Sequence, residues 1–318
     1  MTQASQTLQT AGRRWAGVAG IVFIALFVAA VAADTPGFLS TQNFRAILGT
    51  TTFVGLIAVG MTVIMISGSF VSMSLGTLAT VTAIFFIYAL KFGVGAAILS
   101  TLALGAMLGL VQGFLIGAWG ANPIIVTIAA GALLEGASVA LTGGQALSPP
   151  DNTYAFLNAT PYGIPVGTFV LLLLVVVVEF LLRRTRPGRE VYMLGESRAA
   201  ARAAALSLGE IGCWVFMLAG VSAALAGIFL GSFNHGASLL LNRGTLNYDA
   251  IAATLIGGTA IAGGRGSVWR TLLGVILIAT ITNLVLLRGY SFGAQIFFKG
   301  VLMTAFVLII HLRSQRGR

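Results

Sequence analysis

The sequence predicts an all-α membrane protein of about ten transmembrane helices, some of them broken or re-entrant. Apolar residues make up 58% of its 318 residues and glycine adds another 41, whereas only 8% are charged. An ordinary soluble domain has roughly 45–50% apolar residues with glycine included. The net charge of +10 is scattered between apolar runs instead of lying on one polar face, which argues against nucleic-acid binding.

The apolar runs are long enough to span a bilayer, whose core needs about 20 helical residues. The first follows Arg13 and Arg14 and is longer than the hydrophobic part of a signal peptide, so we expect an uncleaved span. The third and eighth runs contain polar and glycine residues, which favours broken or re-entrant helices there. The expected spans are 15–33, 44–66, 75–90, 94–119, 123–141, 168–182, 211–231, 248–262, 269–286 and 295–312.

The distribution of basic residues predicts the orientation. With both termini in the cytosol, thirteen Lys and Arg residues lie inside and four outside, and Lys299 falls within a span. This excess follows the positive-inside rule. The sequence therefore predicts a cytosolic tail over 1–14, a transmembrane domain over 15–312 and a basic cytosolic tail over 313–318.

The longest polar interval is 182–209. It contains eight charged residues, whereas the whole chain has 18 basic and 8 acidic ones. Pro187 predicts a break in the helix that enters it. Residues 196–206 are mainly Ala and Arg, which are strong helix formers. From charge alone this interval is either an amphipathic helix lying along the inner membrane surface or a solvated loop that only sets topology.

Several single features favour packing over chemistry. The fourth span carries glycines, most of them four apart, that would let two helices approach closely, and Cys213 cannot form an internal disulfide. Glu135 lies in a span, so it should face a cavity, a partner or the nearby interface. The glycines in question are Gly95, Gly105, Gly109, Gly113 and Gly117.

Motifs for nucleotide, metal and covalent chemistry are missing from the sequence. The only lysines, Lys91 and Lys299, do not follow glycine, so no phosphate-binding loop exists and ATP would have to bind another subunit. His235 and His311 fall on opposite sides of the predicted membrane, without carboxylate or cysteine ligands at metal-binding spacing. The sequence favours a non-catalytic protein without a cofactor of its own.

Three stretches resemble the ribose-type permeases of bacterial ABC sugar importers, in the branched-chain amino acid/ribose permease superfamily. The resemblance covers about 44–312. The most specific stretch is Tyr248-Asp249-Ala250-Ile251-Ala252-Ala253 with Gly257-Gly258-Thr259 and Gly263-Gly264-Arg265-Gly266; the others are Arg186-Pro187-Gly188-Arg189 with Gly195 and Ala200-Ala201-Arg202, and Asn122-Pro123 through Thr127.

The resemblance implies the type II, ten-helix importer architecture in the inner membrane. Two permeases would form the pathway, an ATPase pair with bound ATP and Mg would dock below, and a periplasmic sugar-binding protein would deliver solute above. The interval 183–209 would then be the cytosolic coupling segment, with the helix expected at 196–206 as the coupling helix. The residues implied to couple to the ATPase are Arg186, Gly188, Arg189, Glu196, Ser197, Ala200, Ala201 and Arg202.

Sugar recognition combines aromatic rings with amides and carboxylates, and six such residues in or beside spans are candidates for the substrate pathway. They are Phe53, Gln112, Asn234, Tyr248, Asp249 and Asn283, and each has helix packing or capping as its alternative role.

Two positions depart from the family pattern. Ser72 stands where an aspartate is usual, and Glu135 stands where an arginine is common. These departures leave open an unusual substrate or pairing with a different permease. The remaining alternatives are a permease for a nucleoside, polyol, signalling furanose or other small polar solute, an ion-coupled carrier, and a membrane-embedded enzyme.

Overall fold

The computed structural model describes residues 35–69, 71–239, 245–301 and 304, and this part of the chain is helical apart from loops and one isolated bridge. The tails, the first predicted span and most of 302–312 lie outside the described residues. The helices are α1 (Thr41–Ile66), α2 (Leu75–Ala89, extended as a 3-10 turn over Leu90–Phe92), α3 (Val94–Gly117), α4 (Pro123–Thr142), α5 (Val166–Arg184), α6 (Arg186–Glu196), α7 (Arg198–Ala203), α8 (Leu208–Phe233), α9 (Thr245–Ile256), α10 (Val268–Leu287) and α11 (292–301).

Seven of the described helices are long and apolar enough to cross a membrane: α1, extended α2, α3, α4, α5, α8 and α10. The described part of the chain therefore has the all-helical membrane architecture that the composition predicts.

Helices α1 and α8, with 26 residues each, pack at the centre of the bundle. The Gly60 amide of α1 donates a hydrogen bond to the Ser222 hydroxyl of α8 at 3.2 Å, and that hydroxyl donates to the Leu56 carbonyl. Such polar contacts help to hold membrane helices together, because lipid supplies no hydrophobic force between them.

The glycines of α3 form the closest helix contact with α8, as predicted. A Cβ at Gly109 would overlap the Phe216 carbonyl oxygen, and one at Gly113 would lie 2.5 Å from the Gly212 carbonyl oxygen. Gly95 has open space around it, so packing explains four of the five glycines.

The non-helical residues between α1 and α2 are buried inside the helix bundle. Ser72 and Ser74 are fully buried, and the Ser72 amide contacts the Met61 sulfur at 3.4 Å. Met61 precedes the end of α1 by five residues, so the chain doubles back beside the helix it has just left. This confirms the predicted break and places the start of α2 inside the bundle.

The eighth predicted run, 248–262, is a broken helix and not a continuous span, which agrees with the expectation from its polar and glycine residues. The helix there is α9, which has only 12 residues and ends at Ile256. Gly257 and Gly258 follow it, and Gly258 adopts a left-handed conformation with φ of +80° that stops the helix. At 1.5 Å per residue α9 is too short to cross the hydrocarbon core.

Candidate functional site

The polar interval 182–209 contains two short helices, and the helix predicted over 196–206 is present but shorter than expected. Helix α7 covers only Arg198–Ala203, and the separate helix α6 precedes it. Ser197 divides them because its backbone is extended, with φ of −159°, and its hydroxyl accepts the Ala200 amide at 3.2 Å as an N-cap. The break expected at Pro187 falls at Thr185, because proline fits the first turn of α6.

All eight predicted coupling residues lie on α6, on α7 or at their junction. Gly188 and Ala201 are buried against the bundle, and Ser197 is half-buried. Gly188 is required there, since a Cβ would overlap the Leu181 carbonyl of α5. The remaining five are exposed: Arg186, Arg189, Glu196, Ala200 and Arg202.

The inner face of α6 is joined to the turn between α9 and α10. The Tyr192 hydroxyl donates to the Gly266 carbonyl at 3.1 Å. A Cβ at Gly195 would overlap the Ile66 carbonyl oxygen, which itself accepts the Gly264 amide at 2.9 Å. Burial raises the pKa of Tyr192, and the nearby Glu179 adds to the rise, whereas two arginines oppose it. Helix α6, the end of α1 and the turn therefore form one tightly packed junction. We call it the cytosolic junction (α6, Ile66–Gly68 and 263–268), after the side on which the distribution of basic residues predicts it.

Glu179, near the end of α5, closes this junction with a buried carboxylate. Its Oε1 accepts the Ser267 hydroxyl at 2.9 Å and Arg183 Nε at 2.6 Å, and its Oε2 accepts the Val268 amide at 2.7 Å. Val268 is the first residue of α10, where an anion is favoured by the helix dipole. Glu179 thus has both oxygens bonded and fixes α5 to α10.

Helix α9 begins inside the bundle, beside the break before α2. The Asn247 side chain accepts the Gly76 amide at 2.6 Å and donates to the Met73 carbonyl at 2.7 Å. One amide therefore satisfies backbone groups at the start of α2. Non-helical backbone within a membrane needs such partners, because lipid provides none.

Two predicted pathway residues, Tyr248 and Asp249, line one cavity between α9 and α11. Asp249 is buried, and its Oδ2 accepts Lys299 Nζ of α11 at 2.9 Å. Tyr248 is exposed beside them. The cavity has a volume of about 220 Å³ and is also lined by Thr245, Ala252, Ile296 and Gly300.

A third predicted pathway residue, Gln112 of α3, lies at the break before α2. Its Oε1 accepts the Ser74 hydroxyl at 2.9 Å. The neighbouring Ser72 hydroxyl is 3.2 Å from that of Ser74. At the position where the family resemblance leads one to expect an aspartate, this chain has a serine in a network of neutral groups.

A fourth, Phe53, lines a different cavity of about 300 Å³ near the start of α1. Its ring is 5.4 Å from that of Phe233, in a tilted arrangement. Gln42, Arg45 and Asn158 supply polar groups to the same cavity, and Asn158 is held by Ser232. Aromatic and amide groups thus come together here, as a sugar-contacting surface requires.

Of the two remaining predicted pathway residues, one caps its own helix and the other contacts a second helix. Asn234 donates to the Leu230 carbonyl at the end of α8, and Asn283 of α10 donates to Asn43 of α1 at 2.8 Å. Glu135 lies on the exposed surface of α4. The structure therefore brings Tyr248 and Asp249 together and leaves the other four candidates at separate places.

The sequence reasoning missed Glu179, Asn247 and Lys299 as contact residues. Glu179 had a visible signal, since a carboxylate in a valine-rich span four residues before Arg183 predicts a helix ion pair. Lys299 also had one, because ionisable residues within spans pair with one another. Nothing in the local pattern indicates that Asn247 contacts the start of α2.

The comparisons with known proteins agree with this architecture. Residues 43–312 match the family described as branched-chain amino acid transport system, permease component. The chain is 30% identical over 300 residues to a ribose import permease protein of Escherichia coli (strain K12), covering 91% of this chain and 92% of that protein. A ribose import permease protein of Bacillus subtilis (strain 168) is 31% identical, with 92% of each chain covered.

A third relative is named for a different solute. An autoinducer 2 import system permease protein of Yersinia pseudotuberculosis (serotype O:1b) is 32% identical over 234 residues, covering 71% of this chain and 70% of that protein. With seven span-length helices among its described residues and this family match, the protein is a multi-pass protein of the inner membrane. It belongs to the family of branched-chain amino acid transport system permease components.

Proposed function

We propose that this chain is the translocation subunit of an ATP-driven sugar importer and is itself non-catalytic. The observation that carries the proposal is the cytosolic pair α6–α7, whose outer face is exposed and whose inner face is packed into the cytosolic junction. A surface of this kind suits a partner that pushes on the permease from the cytosol.

The contacts of α6 support a mechanical role. Displacement of α7 would reach α6 through Ser197, and α6 would move the turn at 263–266 because Tyr192 and Gly195 are packed against it. That turn connects directly to α9, which carries Tyr248 and Asp249. Movement at the cytosolic surface would therefore change the cavity between α9 and α11.

The partners follow from this role. An ABC ATPase pair, with its own ATP and Mg, would contact Arg186, Arg189, Arg202 and neighbouring small residues. A second permease, identical or different, would complete the pathway in the bilayer, and a periplasmic sugar-binding protein would dock outside. No nucleic acid and no cofactor bound by this chain enters the proposal.

The finer topology is part of the same proposal. Ten spans with both termini in the cytosol, in a type II arrangement, account for the thirteen-to-four distribution of basic residues. They also put α6, α7 and the turn at 263–266 on the side where an ATPase binds.

A sugar is the best-supported substrate. Relatives that match over most of the chain are ribose import permeases, and the cavity beside Phe53 combines rings and amides. The autoinducer 2 relative makes a signalling furanose the second candidate. Both solutes are small and rich in oxygen, so they need the same kind of lining.

Reconstitution tests the function. Proteoliposomes containing the chain, with the ATPase and binding protein encoded beside it, should take up labelled ribose or autoinducer 2 only when ATP is present. The chain alone, under a proton or sodium gradient, should take up neither. Uptake by the chain alone would instead make it an ion-coupled carrier.

A matched pair of variants tests the coupling surface. Ala200→Glu places a carboxylate on the exposed face of α7, and Ala155→Glu makes the same change in the loop before α5. We expect only Ala200→Glu to lose co-purification with the ATPase. Retention of the ATPase by Ala200→Glu, with full uptake, would remove α7 from the interface.

A further inference from the structure

Helices α9 and α11 enclose a largely buried ion pair. Asp249 and Lys299 are 2.9 Å apart, and their side chains are only 7% and 14% exposed. A charged residue at the centre of a span costs roughly 2.5–3.5 kcal/mol on insertion scales. Apolar residues of similar size would avoid this cost, and buried ion pairs can often be replaced by them without loss of stability.

The ion pair is also incomplete. Asp249 Oδ2 is bonded to Lys299, whereas Asp249 Oδ1 is buried and receives no hydrogen bond from the described residues. An unused carboxylate oxygen in a protein interior is unfavourable unless a donor arrives from elsewhere. Lys299 has three N–H donors and directs one of them at Asp249. The pair therefore retains both accepting and donating capacity.

The cavity beside the pair is large enough for a small solute and has the required surfaces. Its wall is mainly apolar, with the Tyr248 ring exposed along one side and the Lys299 and Asp249 side chains at its edge. Small-molecule sites are typically apolar with a few polar groups that set orientation. The C–H face of a sugar ring would pack on Tyr248 while its hydroxyls reach the two charges.

We propose that Asp249, Lys299 and Tyr248 form a subsite on the solute pathway that recognises adjacent hydroxyl groups of a small neutral polyol or sugar. This deepens the proposed function and rests on it. Asp249 Oδ1 is closed off in the conformation described, so a solute hydroxyl donates to it once α9 and α11 move apart, and a neighbouring hydroxyl accepts from Lys299. Because both side chains are charged, their hydrogen bonds to the solute are charge-assisted, and such bonds are stronger than neutral ones.

The chain offers a direct accessibility test because it has a single cysteine, Cys213. In a Cys213→Ser background, Gly300→Cys adds a thiol at the cavity wall, where a Cβ at Gly300 meets nothing within 4 Å. Leu173→Cys adds the matched thiol on the exposed side of α5. Both are treated with a water-soluble methanethiosulfonate in open membrane fragments that also contain the ATPase. Only a thiolate reacts, so labelling requires water at the site.

We expect Gly300→Cys to be labelled and Leu173→Cys to remain unlabelled. Ribose should slow the labelling, whereas leucine, which lacks adjacent hydroxyls, should not. A thiol at 300 that does not react, that reacts equally with and without ribose, or that is protected by leucine instead would overturn the subsite. ATP-driven uptake by the unaltered chain is measured separately, so failure of the subsite is distinguishable from failure of the importer.

The roles of the two charges are tested in the same assay. Asp249→Asn combined with Lys299→Gln leaves two amides that still hydrogen-bond to each other but carry no charge. In the Gly300→Cys background we expect half-maximal protection to need about tenfold more ribose. An unchanged requirement would contradict the proposal. Loss of labelling at 300 would also contradict it, because the pair would then serve only to keep the cavity open.

Discussion

Two buried carboxylates of this protein have opposite surroundings. Glu179, in the cytosolic junction, has three donors on two oxygens and lies where α5, α10 and the turn at 263–268 meet. Asp249, between α9 and α11, has one donor on one oxygen and a cavity beside it. The first arrangement completes a rigid joint, and the second leaves bonding capacity unused.

This difference fits the two proposed roles, in which the cytosolic junction passes on movement and the Asp249 site binds the solute. A joint that passes movement from α6 to α9 must not deform, so all of its polar groups are best satisfied internally. A subsite for a passing solute must offer groups that are not already taken. Variants at the two sites should therefore fail in different ways.

The largest expected effect is that of Lys299→Met, which leaves Asp249 as an unpaired charge among apolar helices. Removal of one partner from a buried ion pair typically costs about 3–5 kcal/mol. The free energy of unfolding, measured by denaturant titration in mixed micelles, should fall by that order. Adding Asp249→Asn should restore most of it, and failure to do so would mean that the charge is not the cause.

At the cytosolic junction, Glu179→Ala is the equivalent deletion. It leaves the buried Val268 amide without an acceptor, which costs about 1–3 kcal/mol, and it loosens the start of α10. In the same titration Glu179→Gln should be milder, since an amide oxygen can still accept from Val268. If Glu179→Ala and Glu179→Gln lowered the free energy of unfolding equally, the charge of Glu179 would stabilise the junction and its role as a hydrogen-bond acceptor would not.

The contrast in packing gives a third test, with the same substitution at two glycines. Gly195→Ala places a methyl group against the Ile66 carbonyl, whereas Gly300→Ala meets open space. Overpacking typically costs about 1–3 kcal/mol. We expect Gly195→Ala to lower both stability and the uptake obtained per ATP hydrolysed, and Gly300→Ala to leave stability unchanged. A tolerated Gly195→Ala would mean that α6 can shift away from α1.

The smallest effect is that of Tyr192→Phe, which removes one hydrogen bond to Gly266 at a net cost of about 0.5–1.5 kcal/mol. Burial raises the pKa of Tyr192 above 10.0, so the folded protein keeps the proton to higher pH than the unfolded chain. The stabilisation is complete below pH 10 and is lost as the pH rises above it. The unfolding temperature of Tyr192→Phe should therefore fall less steeply with pH above 10 than that of the unaltered protein. An identical slope of unfolding temperature against pH would mean that Tyr192 does not cause the loss of stability.

Much of the fold was predictable from local pattern. The long apolar runs predicted the membrane helices, the α3 glycines predicted a close contact, and the polar serines at 67–74 predicted a break. Helix ends were less predictable, because Ser197 as an N-cap and Gly257-Gly258 as a terminator act through backbone geometry that composition does not reveal. Of the pathway candidates, only Tyr248 and Asp249 share a cavity, since side-chain type alone does not indicate which helices are neighbours.

By itself, the sequence determined that the protein is a helical membrane protein, and it predicted from the basic residues which polar stretch faces the cytosol. Those properties depend on transfer of residues between water and lipid, which is a sum over local composition. Only the tertiary structure decided which carboxylate is satisfied and which is not. Glu179 meets Val268 across 89 residues and Asp249 meets Lys299 across 50, and hydrogen bonds over such separations exist only once the helices have packed.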